Sequence, residues 1–538
     1  MDVHMMYVDP NDNSEDDEVI DQVSDGEVDH ESIDERDDYS IESGETADEE
    51  EDSPANNTFA SRDGTLQWSA NPPATRSKHR VETILRLKPG ATTYASSRVT
   101  DDPVIAFRLF MTANIMRIIV DYTNKEGRKV YKDEWIDIDD ITLDAYFGIL
   151  ILAGVYNAYC QSTDELFAST NRAEYRAIFS KQKFQNITRV LRFDTRDDRN
   201  HRDKLSPIRE VYTLWNSALH RNYNPHQNVT IDEQLIKFKG HCPFRQYIPN
   251  KPEKYGIKMF VLCDSEIKYC CNTDIYTGRA PNEQREVNQG KRVVLQLISC
   301  LSSGHNITCD NFFTSYELAV DLLRNHKMTM VDTVRKNKIF LPYHIVNVKH
   351  RMVETSLFAF AENPDVTITS YVPKKNRCVV LMSTKHHDTT CIAEKKNKLE
   401  IIQFYNDTKA GVDLLDQMIG SYTCKRKTNR WPMAVLSAII VLYKECNANW
   451  VHAGKKYKRR EFLKDLGMKL VEPEIMRRKK MPRCENPANL IKDICKWTLG
   501  EPSISASDNI SAPKRKRCYM CKNDNKHAES CTICKKTI

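Results

Sequence analysis

Apolar residues change their spacing along the chain, and these changes divide it into regions. From residue 96 to residue 254 they recur mainly three or four positions apart, which is typical of packed amphipathic helices. Asp102 followed by Pro103 predicts a helix start, because a capping aspartate and an early proline favour helix N-termini. The pattern therefore predicts a mainly helical domain over residues 96–254.

The spacing changes near residue 255 from helical to strand-like. Gly256–Asp264 is a nearly continuous apolar run whose only charge before its last residue is Lys258, as in a strand buried on both faces. The following segments predict an α/β core over residues 255–336 and 400–455 that is interrupted by a β-prone insertion over residues 337–399. The segments are strands at 268–276, 306–310 and 328–334, and helices at 292–301 and 316–325.

Both ends of the chain differ in composition from the middle. Residues 1–95 combine low hydrophobicity with runs of like charge, which is typical of disorder. Residues 456–500 predict a helical region that is rich in basic residues. A linker at 501–517 then precedes a short Cys-rich segment at 518–538.

Charge is distributed unevenly, although the whole chain has a net charge of only +4. Residues 1–54 carry a net charge of −22, and the remainder carries +26. A basic body predicts a polyanionic partner such as DNA. The acidic segment is either a solvated tail or an internal competitor for the basic surface.

The sequence gives no sign of a membrane or secreted protein. No apolar stretch reaches the roughly 18 residues of a membrane helix, and the acidic start does not resemble a signal peptide. Most of the 17 Cys are therefore expected to be reduced thiols, as in a cytosolic or nuclear protein.

Four aspartates form the candidate catalytic site. Asp264 and Asp310 end two predicted strands, and Asp413 and Asp416 lie three residues apart, hence on one face of a predicted helix. Carboxyl ends of adjacent strands point into one crevice, where such sheets place their sites. Carboxylates are hard oxygen ligands that suit Mg²⁺, and two such ions can activate a nucleophile and stabilise the leaving oxygen of a phosphodiester.

Basic and aromatic residues near these aspartates are candidates for DNA contact. Positive side chains hold phosphates, and an aromatic face can stack on an unpaired base. A solvated basic face without such a role is the alternative interpretation. The candidates are Arg335, Lys338, Lys425, Arg426, Lys427, Asn429, Arg430 and Trp431.

The C-terminal segment contains two further signals. Cys518, Cys521, Cys531 and Cys534 form two pairs with the spacing of a structural zinc site. Either one four-Cys zinc site forms or the segment stays unfolded. Lys514, Arg515, Lys516 and Arg517 form a short basic cluster that fits a nuclear localisation signal.

Ordered blocks of sequence from about residue 100 to residue 536 resemble the piggyBac transposase family. They include DDPVIAFRLF, IDEQLIKFKGHCPFRQYIPNKPEKYGIK, NITCDNFFTS, TVRKNK, GVDLLDQM and TCKRKTNRWPM. The resemblance also covers the acidic N-terminus and the Cys-rich C-terminus. Glu266 and Asp332 depart from it, because close relatives often carry Gly at both positions.

The resemblance implies a ribonuclease H-like catalytic core with an insertion, flanked by helical regions that dimerise and bind DNA. It implies that three aspartates form the catalytic triad and that a fourth supports it. It assigns these roles to Asp264, Asp310, Asp413 and Asp416. It also implies excision of a TTAA-flanked element through hairpin ends, followed by insertion at another TTAA, and a Cys-rich domain that binds two zinc ions and continues beyond the four cysteines present here.

Three functions remain compatible with the sequence. The first is a Mg²⁺-dependent cut-and-paste transposase that acts as a homodimer in the nucleus. The second is a host-adopted DNA-binding or chromatin-associated protein derived from such an enzyme. The third is a general nuclease on the same fold, which the family-specific blocks outside the site disfavour.

Overall fold

The structure is a computed structural model that describes residues 57–72, 84–249, 251, 254–278, 286–361, 365–392, 398–447, 459–478, 480–499, 516–517 and 526–527. The chain divides into two compact units, Met1–Glu474 and Ile475–Ile538. The acidic segment 1–54, the cysteines at 518, 521, 531 and 534, and Lys514 and Arg515 lie outside the described residues.

The predicted helical region begins as expected at Pro103. The Asp102 side chain accepts a hydrogen bond from the Val104 N–H and caps the helix. Asp139 caps the longer apolar helix Asp140–Val155 through the Thr142 N–H, and nearly all of that helix is buried. The helices of this region are α1 (Thr93–Ser96), α2 (Pro103–Arg108), α3 (Ala113–Tyr131), α4 (Asp140–Val155), α5 (Thr163–Leu166), α6 (Ala173–Ile178), α7 (Lys181–Val190) and α8 (Arg209–Asn222).

Among the described residues, eleven strands join in one mixed sheet. Its strands are β1 (Thr58–Ala60), β2 (Gln67–Ser69), β5 (Asn228–Lys237), β6 (Arg245–Tyr247), β7 (Tyr255–Asp264), β8 (Cys270–Ile275), β9 (Asn306–Thr308), β10 (Thr329–Thr333), β11 (Ser356–Ala361), β12 (Val366–Lys374) and β13 (Arg377–Ser383). Two-residue pairs lie apart from it: β3 (Gly90–Ala91) with β4 (Tyr223–Asn224), β14 (Cys391–Ile392) with β15 (Lys398–Leu399), and β16 (Lys516–Arg517) with β17 (Lys526–His527).

The centre of the sheet has the order β8, β7, β5, β9, β10. The pairs β5–β9 and β9–β10 are parallel, whereas β7 is antiparallel to both β5 and β8. An antiparallel meander followed by two parallel strands is compatible with a ribonuclease H-like core. The strand β5 was not among the predicted elements, because residues 96–254 were expected to be helical.

The remaining helices follow the strands in chain order. They are α9 (Gln289–Ile298), α10 (Tyr316–Asp321), which continues into a π-helical turn (Leu322–His326), α11 (Tyr343–Val346), α12 (Glu400–Thr408), α13 (Gly411–Ser421), α14 (Trp431–Asn447), α15 (Arg459–Met476) and α16 (Glu485–Leu499). Every helix in the described part of the chain is too short or too polar to span a bilayer.

Strands from the predicted insertion extend the core sheet. β13 pairs with β10, and β12 and β11 follow it in antiparallel order. The N-terminal hairpin β1–β2 continues the same sheet through the pairing of Ser69 with Phe360. The Trp68 side chain is only 1% exposed and donates a hydrogen bond to the Phe340 carbonyl at 3.1 Å.

The expectation that residues 1–95 are disordered is therefore wrong for part of that range. Residues 57–72 form a hairpin that packs through Trp68, and residues 90–96 contain β3 and α1. Composition alone did not reveal these elements, because the hairpin is short and gains its stability from pairing with a strand about 290 residues further along the chain.

Candidate active site

Asp232 and Asp310 lie at the same level of the sheet. Thr230 of β5 pairs with Thr308 of the parallel strand β9, and each aspartate follows two residues later. Successive side chains alternate between the faces of a strand, so a two-residue step returns to the same face. Asp232 therefore points to the same face of the sheet as Asp310, which lies two residues beyond the end of β9.

The helix α13 lies over this face of β5. Just before it, the Thr408 carbonyl accepts a hydrogen bond from the Thr230 hydroxyl at 2.6 Å. A Cβ added to Gly411, the first residue of α13, would lie 2.5 Å from the same hydroxyl oxygen, so the close approach requires glycine. Further along, Gln234 Nε2 donates a hydrogen bond to Asp416 Oδ1 at 3.2 Å.

Electrostatic interactions confirm that these carboxylates are neighbours. Burial, followed by repulsion from Asp310, raises the pKa of Asp232 to about 7, and Glu233 and Asp413 act in the same direction. Burial also raises the pKa of Asp310. The structure thus places Asp310 and Asp413 near Asp232, and Gln234 links this group to Asp416.

The donor set suits a hard divalent cation. Carboxylate oxygens are the preferred protein ligands of Mg²⁺, and a bound cation would relieve the repulsion that raises the Asp232 pKa. Among the described residues, no group of three or more His, Cys, Asp or Glu side chains is arranged to hold a metal ion as it stands. The site therefore has the required chemistry, although its carboxylates do not converge on one point.

The structure corrects the placement of Asp264. This residue pairs with Val229 of β5, three positions before Asp232, so it lies on the opposite face of the sheet. Because β7 is antiparallel to β5, its carboxyl end lies near the amino end of β5. The prediction treated β7 and β9 as if their carboxyl ends met at one edge, which only parallel strands do.

Asp264 instead stabilises the turn after its own strand. Its side chain is completely buried and accepts hydrogen bonds from the backbone N–H groups of His226, Glu266 and Ile267 at 2.8, 2.8 and 3.2 Å. Its Oδ2 also lies 2.8 Å from His226 Nδ1. Both carboxylate oxygens are thus occupied within the fold.

A second buried carboxyl group supports the turn that carries Asp310. Asp332 is completely buried, and its Oδ1 accepts a hydrogen bond from the Cys309 N–H at 2.5 Å. Its Oδ2 lies 3.3 Å from the Thr314 hydroxyl, which in turn donates to the Asp310 carbonyl at 2.9 Å. Burial raises the pKa of Asp332 far above its usual value. Both oxygens of Asp332 therefore contact the turn that carries Asp310, and the residue stabilises that turn.

A buried ion pair lies on the other side of the same turn. Lys258 Nζ is 3.0 Å from Glu233 Oε2, and the two side chains are 4% and 15% exposed. The ammonium also lies 5.0 Å from the ring centre of Phe260 and 5.1 Å from that of Phe312. The Phe312 N–H donates to Asp310 Oδ1 at 2.9 Å, so the Asp310 turn rests on this cation and its aromatic neighbours.

Arg335 lies beside Asp310, and Lys338 lies close to Arg335. Arg335 Nε donates to Asn311 Oδ1 at 3.0 Å, and its charge lowers the pKa of Asp310 against the effect of burial. Lys338 is partly buried, which lowers its pKa. Arg62 from the N-terminal hairpin donates to the Lys338 carbonyl at 2.8 Å and so fixes this loop.

Two of the other candidate DNA contacts make hydrogen bonds within the fold. Arg426 donates to the Ala158 carbonyl at 2.8 Å, and burial lowers its pKa. Arg430 donates to the carbonyls of Thr188, Arg189 and Leu191 and so caps the end of α7. These hydrogen bonds occupy some of the five N–H donors of each guanidinium group and hold this loop to the helical region.

The remaining candidates in this loop differ in exposure. Lys427 and Asn429 are exposed, whereas Lys425 is half-buried. The half-buried Trp431 ring packs edge-on against Phe244 at 5.0 Å. The sequence did not distinguish these roles, because an arginine that binds carbonyls and one that binds phosphates have the same local pattern.

The chain has clear relatives among known proteins. A family model described as Transposase IS4 matches residues 102–448. The chain is 23% identical to human (Homo sapiens) PiggyBac transposable element-derived protein 3, over 73% of this chain and 71% of that protein. It is also 23% identical to the human Chimeric ERCC6-PGBD3 protein, of which it spans only 40%.

A solved structure agrees with the fold. It is the cryo-EM structure of a piggyBac transposase synaptic complex with hairpin DNA, and the likeness has a TM-score of 0.74 at 35% sequence identity. The match covers 84% of this chain and 97% of the solved chain.

Proposed function

Because the chain belongs to the piggyBac transposase family, we propose that it is a cut-and-paste DNA transposase that cleaves and joins strands at TTAA sites. One observation carries this proposal: Asp232 lies beside Asp310 and Asp413 in a core of the family's fold, and Gln234 on the same face of β5 bonds to Asp416. Carboxylates that repel one another at one place, as Asp232, Asp310 and Asp413 do, are costly to the fold, so a role in binding cations explains them.

Asp232, Asp310 and Asp413 would hold two divalent cations, with Mg²⁺ as the expected ion, and Asp416 would support them. When bound, such cations activate an attacking water or 3′ hydroxyl and stabilise the leaving oxygen. Asp310 is held in place by the turn described above, and Asp232 is fixed within the central strand β5. The chain thus supplies rigid oxygen ligands and needs no covalent intermediate with DNA.

Arg335 is the basic residue best placed to hold a phosphate beside these carboxylates. Its charge already acts on Asp310, and its anchor Asn311 follows Asp310 directly in the chain. Lys338, Lys427 and Asn429 extend the same role to the neighbouring surface. We also propose that the chain acts as a homodimer on DNA and enters the nucleus through the basic cluster at residues 514–517.

A second function is supported by the relatives. A protein named as derived from a transposable element is similar to this chain along most of its length. The chain would then be a host-adopted DNA-binding or chromatin-associated protein in which catalysis is dispensable. A zinc site formed by the four C-terminal cysteines is compatible with both functions.

An excision assay separates the two functions. A plasmid carrying a TTAA-flanked element is incubated with the full-length chain in Mg²⁺, in EDTA, and with Asp310→Asn in Mg²⁺. The transposase proposal predicts donor loss in the first reaction and none in the others. Binding of the DNA without donor loss in any reaction would support the host-adopted protein instead.

A further inference from the structure

The Gln234 side chain is buried beside the candidate site, and only one of its two polar groups has a hydrogen-bond partner among the described residues. It is 5% exposed, and its amide nitrogen donates to Asp416 Oδ1 at 3.2 Å. Its amide oxygen Oε1 is buried and has no hydrogen-bond partner among the described residues. A buried acceptor is costly when it is left unpaired, so such an atom calls for an explanation.

Gln234 shares its face of β5 with Asp232 and Thr230. The three residues are spaced by two, so their side chains project to the same side. Thr230 contacts the Thr408 carbonyl and excludes any side chain at Gly411. Two polar side chains therefore flank Asp232, and both hold the segment that carries the α13 carboxylates.

Asp413 and Asp416 need such restraint because both are exposed, and Asp413 also lies near Asp232. Repulsion between carboxylates favours an outward rotation of their side chains. A neutral amide can attract one carboxylate through its N–H without adding negative charge. Partners of this kind orient metal ligands in many proteins.

We propose that Gln234 is a positioning residue of the metal site, which orients Asp416 through its amide nitrogen and offers its amide oxygen to a water of the bound cation. This inference rests on the proposed function, because it assumes that the carboxylates bind divalent cations. It adds a neutral residue to a candidate metal site whose other residues are all aspartates.

The test measures binding of Mn²⁺ to the full-length chain without DNA, by electron paramagnetic resonance of the free ion. The variant Gln234→Met keeps the length of the side chain and removes both polar groups. Gln246→Met is the matched control, because Gln246 is 6% exposed on β6 and bonds only weakly to the Phe244 carbonyl at 3.4 Å. Asp416→Asn and the double variant Gln234→Met/Asp416→Asn complete the set.

We expect Gln234→Met to weaken Mn²⁺ binding roughly 10-fold, as loss of a partner of a metal ligand typically does. Gln246→Met should bind like the wild type, and both variants should melt near the wild-type temperature. In the Asp416→Asn background, Gln234→Met should cause a smaller loss than it does alone, because the two residues act as a unit.

Unchanged Mn²⁺ binding in Gln234→Met would overturn the inference, as would an equal loss in Gln246→Met or full additivity with Asp416→Asn. Failure of the proposed function gives a different result. In that case the wild type itself would bind no Mn²⁺, or Asp232→Asn would excise DNA as well as the wild type does. Wild-type metal binding with an inactive Asp232→Asn and a normal Gln234→Met would remove the inference alone.

Discussion

Asp232 of β5 and Asp310, just after the parallel strand β9, each lie two residues beyond the paired threonines Thr230 and Thr308. This register places two carboxylates from sequence-distant segments on one face of the sheet. Repulsion between them contributes to the raised pKa of Asp232. The predictions below follow from this arrangement and from the contacts that support it.

The metal-free protein should lose stability as the pH rises. The pKa of Asp232 is about 7 in the folded chain, compared with an ordinary value of 3.8. Between these two pH values the folded state binds more protons than the unfolded state, so unfolding becomes easier as the pH increases. Asp232→Asn should therefore raise the melting temperature at pH 7.5 in EDTA and have little effect at pH 4, measured by calorimetry. A lower melting temperature at pH 7.5 would contradict the assignment of this pKa.

Lys258 and Glu233 should stabilise the fold only when both charges are present. Lys258→Met leaves Glu233 partly buried without its partner, which typically costs about 3–5 kcal/mol. Adding Glu233→Gln should recover most of that loss, because no uncompensated charge remains. Urea denaturation measures both changes. If the double variant is as unstable as Lys258→Met, the pair does not act through its charges.

Substitution of Arg430 should reduce stability, whereas substitution of Lys427 should change DNA binding and leave stability unchanged. Arg430→Ala leaves the carbonyls at the end of α7 without donors and should cost about 1–3 kcal/mol. Lys427→Ala should leave stability unchanged but reduce the salt dependence of DNA binding by about one unit of slope. Thermal melts and fluorescence anisotropy at several salt concentrations provide the measurements. A normal salt slope in Lys427→Ala would exclude this residue as a phosphate contact.

The N-terminal hairpin should depend on one side chain. Trp68→Ala removes a fully buried indole and its bond to the Phe340 carbonyl, a change that typically costs about 3–5 kcal/mol. We expect faster hydrogen exchange in residues 57–72 and at β11, which pairs with the hairpin. Exchange at β5, near the candidate site, should change less. Unchanged protection at β11 would show that the hairpin does not stabilise that strand.

The sequence predicted the elements with strong local patterns. The strands β7 and β10 and the helices α2, α9 and α13 follow from apolar runs and caps, and two of the predicted site residues, Asp310 and Asp413, lie near Asp232. The strand β5 was missed, although Val229, Ile231 and Leu235 are apolar and lie two or four residues apart, as one face of a strand requires. Asp232 was missed with it, because it lies inside a strand and the predicted site residues of the sheet lie at strand ends.

Strand direction is the information that local patterns lack. An apolar run ending in aspartate looks the same in a parallel and an antiparallel strand, yet only a parallel strand would bring that residue to the same edge as Asp310. Asp264 was predicted from such a run, and in the structure its side chain accepts hydrogen bonds from the backbone of the turn after β7. Likewise, long-range carbonyl contacts of Arg426 and Arg430 have no signature in the nearby sequence.

The most direct test of the account compares Asp232→Asn and Asp264→Asn in Mg²⁺-dependent cleavage of TTAA-flanked DNA, with rates normalised to the fraction of folded protein. Asp232→Asn should reduce the rate by more than about 100-fold, since loss of even a partner of a metal ligand costs roughly 10- to 100-fold. Asp264→Asn should unfold at a lower temperature, but its folded fraction should cleave at nearly the wild-type rate. Normal cleavage by Asp232→Asn together with a folded, inactive Asp264→Asn would contradict the account.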